Sequence, residues 1–169
     1  MKFQKDMIFF ISKNIYEKLI ECVEFARPNE SCGLIFGESE EKENPEKEED
    51  YFYYYKSKHF ECIKSDRKSA VAFLIEGSEE IDSIIFNNTN KNQKLISIFH
   101  SHPAGAHPSG IDLNHMERYD SSKRTYLGTP QLRLLKLQIW TIMDASNYEL
   151  NAFIYLNKEI VQIDLQIKD

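Results

Sequence analysis

The chain has 169 residues, 41% of them hydrophobic and 12% aromatic, which is the size and composition of one domain with a substantial core. Its 27 acidic and 21 basic residues leave a formal net charge of -6. That balance argues against a nucleic-acid groove and favours, if anything, a partner with a basic face, although much of the negative charge sits in one run.

The first apolar run, Met7 to Ile11, reads as a strand: it is too short to span a membrane and lacks the small-residue cleavage pattern of a secretory signal. Ser12 is placed to cap a helix in which Ile15, Leu19, Cys22, Val23 and Ala26 share one face, until Pro28 ends the run. A second strand is expected over Ser31 to Gly37. From Glu38 to Asp50 acidic residues dominate, and this composition reads as a mobile loop that buries too little apolar surface to order itself. An acidic docking arm for a basic partner is the functional alternative. The aromatic run Tyr51 to Tyr55 resumes a strand as core and sheet face, and His59 beyond it reads as structural or exposed.

Ala70 to Ile75 reads as a further strand, and Ser78 as the cap of a helix burying Ile81, Ile84 and Ile85 and ending at Asn87 to Asn90. Leu95 to Phe99 is a short buried strand that runs into two histidines. A helix is expected from Ser109 to about Glu117. Arg118 to Leu132, with Gly128, Thr129 and Pro130, is polar and turn-like: a substrate-contacting lid or a plain surface excursion. Leu137 to Met143, Leu150 to Leu156 and Ile160 to Ile167 supply three closing strands, the last two a hairpin around Asn157-Lys158. With no internal repeat, this order predicts a single mixed α/β domain over 1–169: a curved, largely antiparallel sheet with helices packed on its faces. Cys22, Cys32 and Cys62 lack metal-type or disulfide-framework spacing, so reduced thiols in a cytoplasmic setting are expected.

Chemistry concentrates in Phe99-His100-Ser101-His102-Pro103 and in Pro108-Ser109-Gly110-Ile111-Asp112. Side chains two apart in a strand point to the same face, so His100 and His102 can converge on one point. The Pro/Gly-containing loop after them lets Asp112 turn back to that point. Two imidazoles and one carboxylate are the ligand set of a catalytic zinc site with its fourth position open to water. Each half has a bland reading: His-x-His arises by chance, and Ser109 to Asp112 has the form of a capping box. A third segment, Pro28-Asn29-Glu30-Ser31-Cys32-Gly33-Leu34, adds an acidic residue immediately before an apolar strand, where a carboxylate can face the metal. His107 and His115 read as loop or helix-surface residues, and Cys32 as packing.

Together these segments resemble the JAMM (MPN+) zinc metalloprotease family, whose pattern is a glutamate in a Pro-x-Glu-x-Cys-Gly-Leu-like context, then His-Ser-His-Pro, then Pro-Ser-x-x-Asp. The resemblance implies the same mixed α/β architecture, with His100, His102 and Asp112 as zinc ligands, Glu30 as general base and Ser109 as the residue steadying the reacting oxygen. One departure is visible: six residues separate His102 from Ser109, where the family usually has seven.

Three functional classes follow from the resemblance. The first is an isopeptidase removing ubiquitin or a ubiquitin-like modifier from a target lysine. The second is a peptidase processing the C-terminus of a small sulfur-carrier protein, and the third a non-catalytic scaffold. Scaffolds typically lose ligands, and here the residue set is intact. No nucleic acid or membrane partner is expected.

Overall fold

In the computed structural model, residues 2–63, 79–89, 91, 93–120 and 138–169 are described. The expected strand over Ala70 to Ile75, the cap at Ser78 and most of the Arg118 to Leu132 segment lie outside them.

The N-terminal strand β1 (Lys2–Ser12) ends where the Ser12 hydroxyl accepts a hydrogen bond from the Ile15 N–H at 3.3 Å, capping helix α1 (Lys13–Ala26) as its sequence predicts. Ile15, Leu19, Cys22 and Val23 form the buried stripe of α1. Past Pro28 the chain enters β2 (Cys32–Glu43), which turns over residues 44–50 into β3 (Tyr51–Ile63).

The loop expected over Glu38 to Asp50 is therefore corrected: its first six residues are strand. Glu38 to Glu43 pair in register with Lys56 to Tyr51, so a β-prone aromatic partner strand supplies the ladder that composition alone argues against. Lysines on the same hairpin answer part of the charge, with Glu40 at 3.2 Å from Lys56 and Glu38 at 3.6 Å from Lys58.

Helix α2 (Glu79–Thr89) buries Ile81 and Ile85. Strand β4 (Lys94–His102) carries both histidines, and α3 (Gly110–Asp120) follows. Strands β5 (Ile139–Asp144), β6 (Leu150–Leu156) and β7 (Glu159–Lys168) close the chain. Asn157 and Lys158, both at positive φ (52° and 63°), make the two-residue turn of the β6–β7 hairpin.

The strand order is β1-β3-β2-β4-β5-β6-β7, and β1 also pairs with β7, so the sheet closes into a barrel rather than remaining an open curved sheet. Closure depends on β1, which lies parallel to both β3 and β7. β4 and β5 are also parallel, and the remaining neighbours are antiparallel. Both faces of the sheet are covered. In β5, Ile139 and Met143 join the cluster that contains the α1 stripe, whereas Trp140 and Ile142 join the one holding Ile81, Ile85 and Met116.

The cysteines also differ from expectation. Cys22 of α1 and Cys62 of β3 form a disulfide across 40 residues, leaving Cys32 as the free cysteine. The argument for a cytoplasmic setting rested on reduced thiols and loses that premise. Among the described residues no helix is long and apolar enough to cross a membrane.

Candidate metal centre

Strand β4 is buried along almost its whole length, and its last turn of alternation puts His100 and His102 on one face. The His100 ring is fully buried and meets Trp140 edge-on, with centroids 6.0 Å apart. Its Nδ1 has no hydrogen-bond partner among the described residues, so packing against Trp140 and the polar contacts of Nε2 orient this imidazole.

The chain then turns through 103–109 to α3. Gly105, at φ 86°, takes a backbone conformation that disfavours side chains, and its N–H donates to Asp144 Oδ2 at 2.7 Å. Ala145 N–H donates to His102 O at 2.9 Å, so the end of β5 holds both sides of this turn. At the start of α3 the capping box forms: Asp112 N–H donates to Ser109 Oγ at 3.3 Å, and Ser109 N–H to Asp112 Oδ2 at 2.6 Å.

The capping reading and the ligand reading of Asp112 are thus compatible. Its Oδ1 lies 3.2 Å from His100 Nε2, its Oδ2 3.2 Å from His102 Nε2, and the two Nε2 atoms are 3.1 Å apart. The six-residue loop is long enough to bring the three together. Among the described residues they form the one group able to hold a metal ion. His107 and His115 stand outside it.

The donor set fits a small divalent ion. A tetrahedral ion bonded at about 2.0–2.1 Å needs donors about 3.3 Å apart, close to the observed edges. If each Nε2 instead carried a proton towards its own carboxylate oxygen, two N–H donors would stand 3.1 Å apart; one cation in place of both protons removes that conflict. Charge distribution agrees. Burial pushes the Asp112 carboxyl up, but hydrogen bonds from His100 and His102, the His100 charge and Ser109 together hold it far below the usual carboxylate range. His102 is raised, chiefly by its hydrogen bond to Asp112 and against desolvation, with the charge of Glu30 contributing.

Glu30 is half-buried just before β2, with its charge felt at His102, and Ser109 is exposed at the mouth of the site. Cys32 is fully buried and burial pushes its thiol up to about 12, which leaves it as packing. His59 is half-buried and meets Glu61 Oε1 at 2.6 Å, away from the cluster.

Sequence reading overlooked Ser101, the residue between the histidines. Its hydroxyl accepts from Ser31 N–H at 2.9 Å and from the Ser31 hydroxyl at 3.0 Å. It also overlooked Asp144. Neither residue stands in a recognisable spacing relative to its partner.

A family model, prokaryotic homologs of the JAB domain, matches residues 12–150. The chain belongs to the prokaryotic JAB domain family. No curated protein matches this JAB domain chain by sequence. Among solved structures it is similar to protein DSY2949 from Desulfitobacterium hafniense, at 15% identity and a TM-score of 0.61, covering 96% of this chain and 94% of that one. It is also similar to AF2198, a JAB1/MPN domain protein from Archaeoglobus fulgidus, at 14% identity and a TM-score of 0.50 over the whole of both chains. At such identities the likeness is one of fold, and the JAMM/MPN-like assignment rests on it together with the family match.

Proposed function

We propose that this JAB domain is a zinc-dependent isopeptidase that hydrolyses the bond between the C-terminus of ubiquitin or a ubiquitin-like modifier and a target lysine. The observation that carries the reading is the triangle of His100 Nε2, His102 Nε2 and the Asp112 carboxylate, with edges of 3.1–3.2 Å. Family membership supports it, as does the retention of every residue the chemistry needs.

His100, His102 and Asp112 would hold the ion. When bound, zinc supplies Lewis acidity, bringing the pKa of a water towards neutrality and polarising the scissile carbonyl. Glu30 takes the proton of the attacking water and returns it to the leaving amine. Ser109 Oγ accepts from Asp112 N–H, which leaves the serine's own hydrogen to donate towards the oxyanion. Such a donor contributes on the order of 3 kcal/mol to the transition state. Beside Ser109 a groove of about 680 Å³, lined by His107, Pro108, Leu113, Glu117, Tyr155 and Ile160 among others, offers a half-apolar wall to a peptide entering the site.

The test compares ubiquitin chains with C-terminal fusions of a sulfur-carrier protein, using zinc-loaded protein and Glu30→Gln. Cleavage of the modifier–lysine bond by the parent, and a fall of about 10²–10⁴-fold in Glu30→Gln with zinc retained, is the expected result. Cleavage of carrier fusions alone moves the substrate to the second class. Undiminished turnover in Glu30→Gln would falsify the assignment of the base, and inertness towards both substrates the hydrolase reading.

A further inference from the structure

Two buried serines lie against the site, and the mechanism above gives them no task. Ser31 is 2% exposed and follows Glu30; Ser101 is 1% exposed and stands between the two ligand histidines. The β2–β4 register pairs Cys32 with His100, and one step further sets Ser31 opposite Ser101. Ser101 N–H donates to Ser31 O at 3.0 Å, so backbone pairing continues to this point. The other links of the pair run through a side chain, since Ser101 Oγ accepts both the Ser31 N–H and the Ser31 hydroxyl.

Going outward from the Ser31–Ser101 contact, the next residue on one segment is Glu30 and on the other His102. Neighbours in a strand alternate faces, so the serine pair occupies one side of the sheet while His100 and His102 occupy the other. A hydroxyl that reaches neither ligand nor substrate thus ties the segment bearing the base to the strand bearing the ligands. With two alanines the buried Ser31 N–H would lose the acceptor that Ser101 Oγ supplies, so the Ser101 hydroxyl completes the backbone pairing at the end of this ladder.

Resting on the hydrolase reading above, we propose that Ser101 is the positioning residue for Glu30: its hydroxyl holds Ser31 and thereby keeps the base in register with His102. A carboxylate carried on the Pro28-Asn29 turn without that tie is free to move by the ångström or so that costs about a hundredfold in rate.

The experiment uses the full chain as parent, Ser101→Ala, Ser101→Thr, Ser31→Ala, Glu30→Gln and the Glu30→Gln/Ser101→Ala double variant. Bound zinc, amide hydrogen exchange at position 31, and kcat and KM on a Gly-Gly-ended peptide joined to a lysine ε-amine are measured. In Ser101→Ala we expect one zinc as in the parent, faster exchange at position 31 with Leu34 unchanged, and kcat lower by about a hundredfold at unchanged KM. Ser101→Thr keeps the hydroxyl and restores exchange and kcat, and Ser31→Ala falls between. The double variant is no slower than Glu30→Gln alone.

Parent-like exchange or parent-like kcat in Ser101→Ala overturns the proposal. So does loss of zinc, which would make Ser101 a support of the ligands instead. If Ser101→Ala does not fold, parent-like exchange and kcat in Ser31→Ala overturn it equally. A parent that cleaves no substrate refutes the hydrolase reading, while zinc content and exchange still decide whether Ser101 holds the Glu30 segment.

Discussion

Asp112 closes a capping box on Ser109 while its two oxygens face His100 and His102. The helix N-terminus and the imidazoles both favour its charged form, which keeps a 3% exposed carboxylate ionised. In the metal-free protein this has a defined pH signature. The depressed pKa of Asp112 contributes stability that is present above about pH 4 and lost as pH falls through its folded value. The raised pKa of His102 contributes stability that is full below about pH 6.5 and lost as pH rises through its folded value. The pair therefore supports the metal-free fold most between roughly pH 4 and 6.5. A bound cation competes with the His102 proton and gains as pH climbs out of that window. The Tm difference between parent and Asp112→Asn, without metal, should be larger at pH 5.5 than at pH 8, and the rise in Tm on adding zinc should be larger at pH 8. Equal zinc-induced shifts at the two pH values would contradict this assignment of charges.

At the scale of elements, β2 shows what a sequence discloses and what it conceals. Its apolar half is legible because Leu34 to Phe36 form a buried run, but the acidic half is held by pairing with β3, and a partner strand cannot be read from local composition. The first two helices were legible through their apolar period, the third through its Ser109 cap, and β6 to its exact bounds. The Cys22–Cys62 disulfide was not, since only the packing of α1 against β3 brings residues 40 apart together. Gly37 marks the junction between the halves, where the β2–β3 register shifts between Phe36 and Gly37. A Cβ there would stand 1.9 Å from Lys56 O and 3.0 Å from Ile96 Cδ1. Backbone cannot yield as a flexible side-chain end can, so Gly37→Ala should cost at least about 2 kcal/mol. That corresponds to a fall in Tm of roughly 4–8 °C for a chain of this size. An unchanged Tm would show that the bulge tolerates a side chain and that the close approach is not a constraint.

For the molecule as a whole, the closed barrel turns three separate stretches of chain into one site. The three clustered residues were readable because each signal is local: two histidines on one strand face, and a cap at the start of a helix. The groups that hold those stretches together were not readable, because Ser31 meets Ser101 across 70 residues and Gly105 meets Asp144 across 39. Closure of the sheet was equally hidden, since it depends on β1 pairing in parallel with the last strand of the chain. The central claim is that this fold presents one metal centre made of His100, His102 and Asp112, and cobalt reports it most directly. Titrating metal-free protein with Co²⁺ while recording the visible absorption should give a tetrahedral nitrogen/oxygen-ligand spectrum that saturates at one equivalent, is displaced by zinc, and is lost in Asp112→Ala but kept in Glu30→Gln. Absence of a stoichiometric endpoint, or the same spectrum and endpoint in Asp112→Ala, would contradict the account.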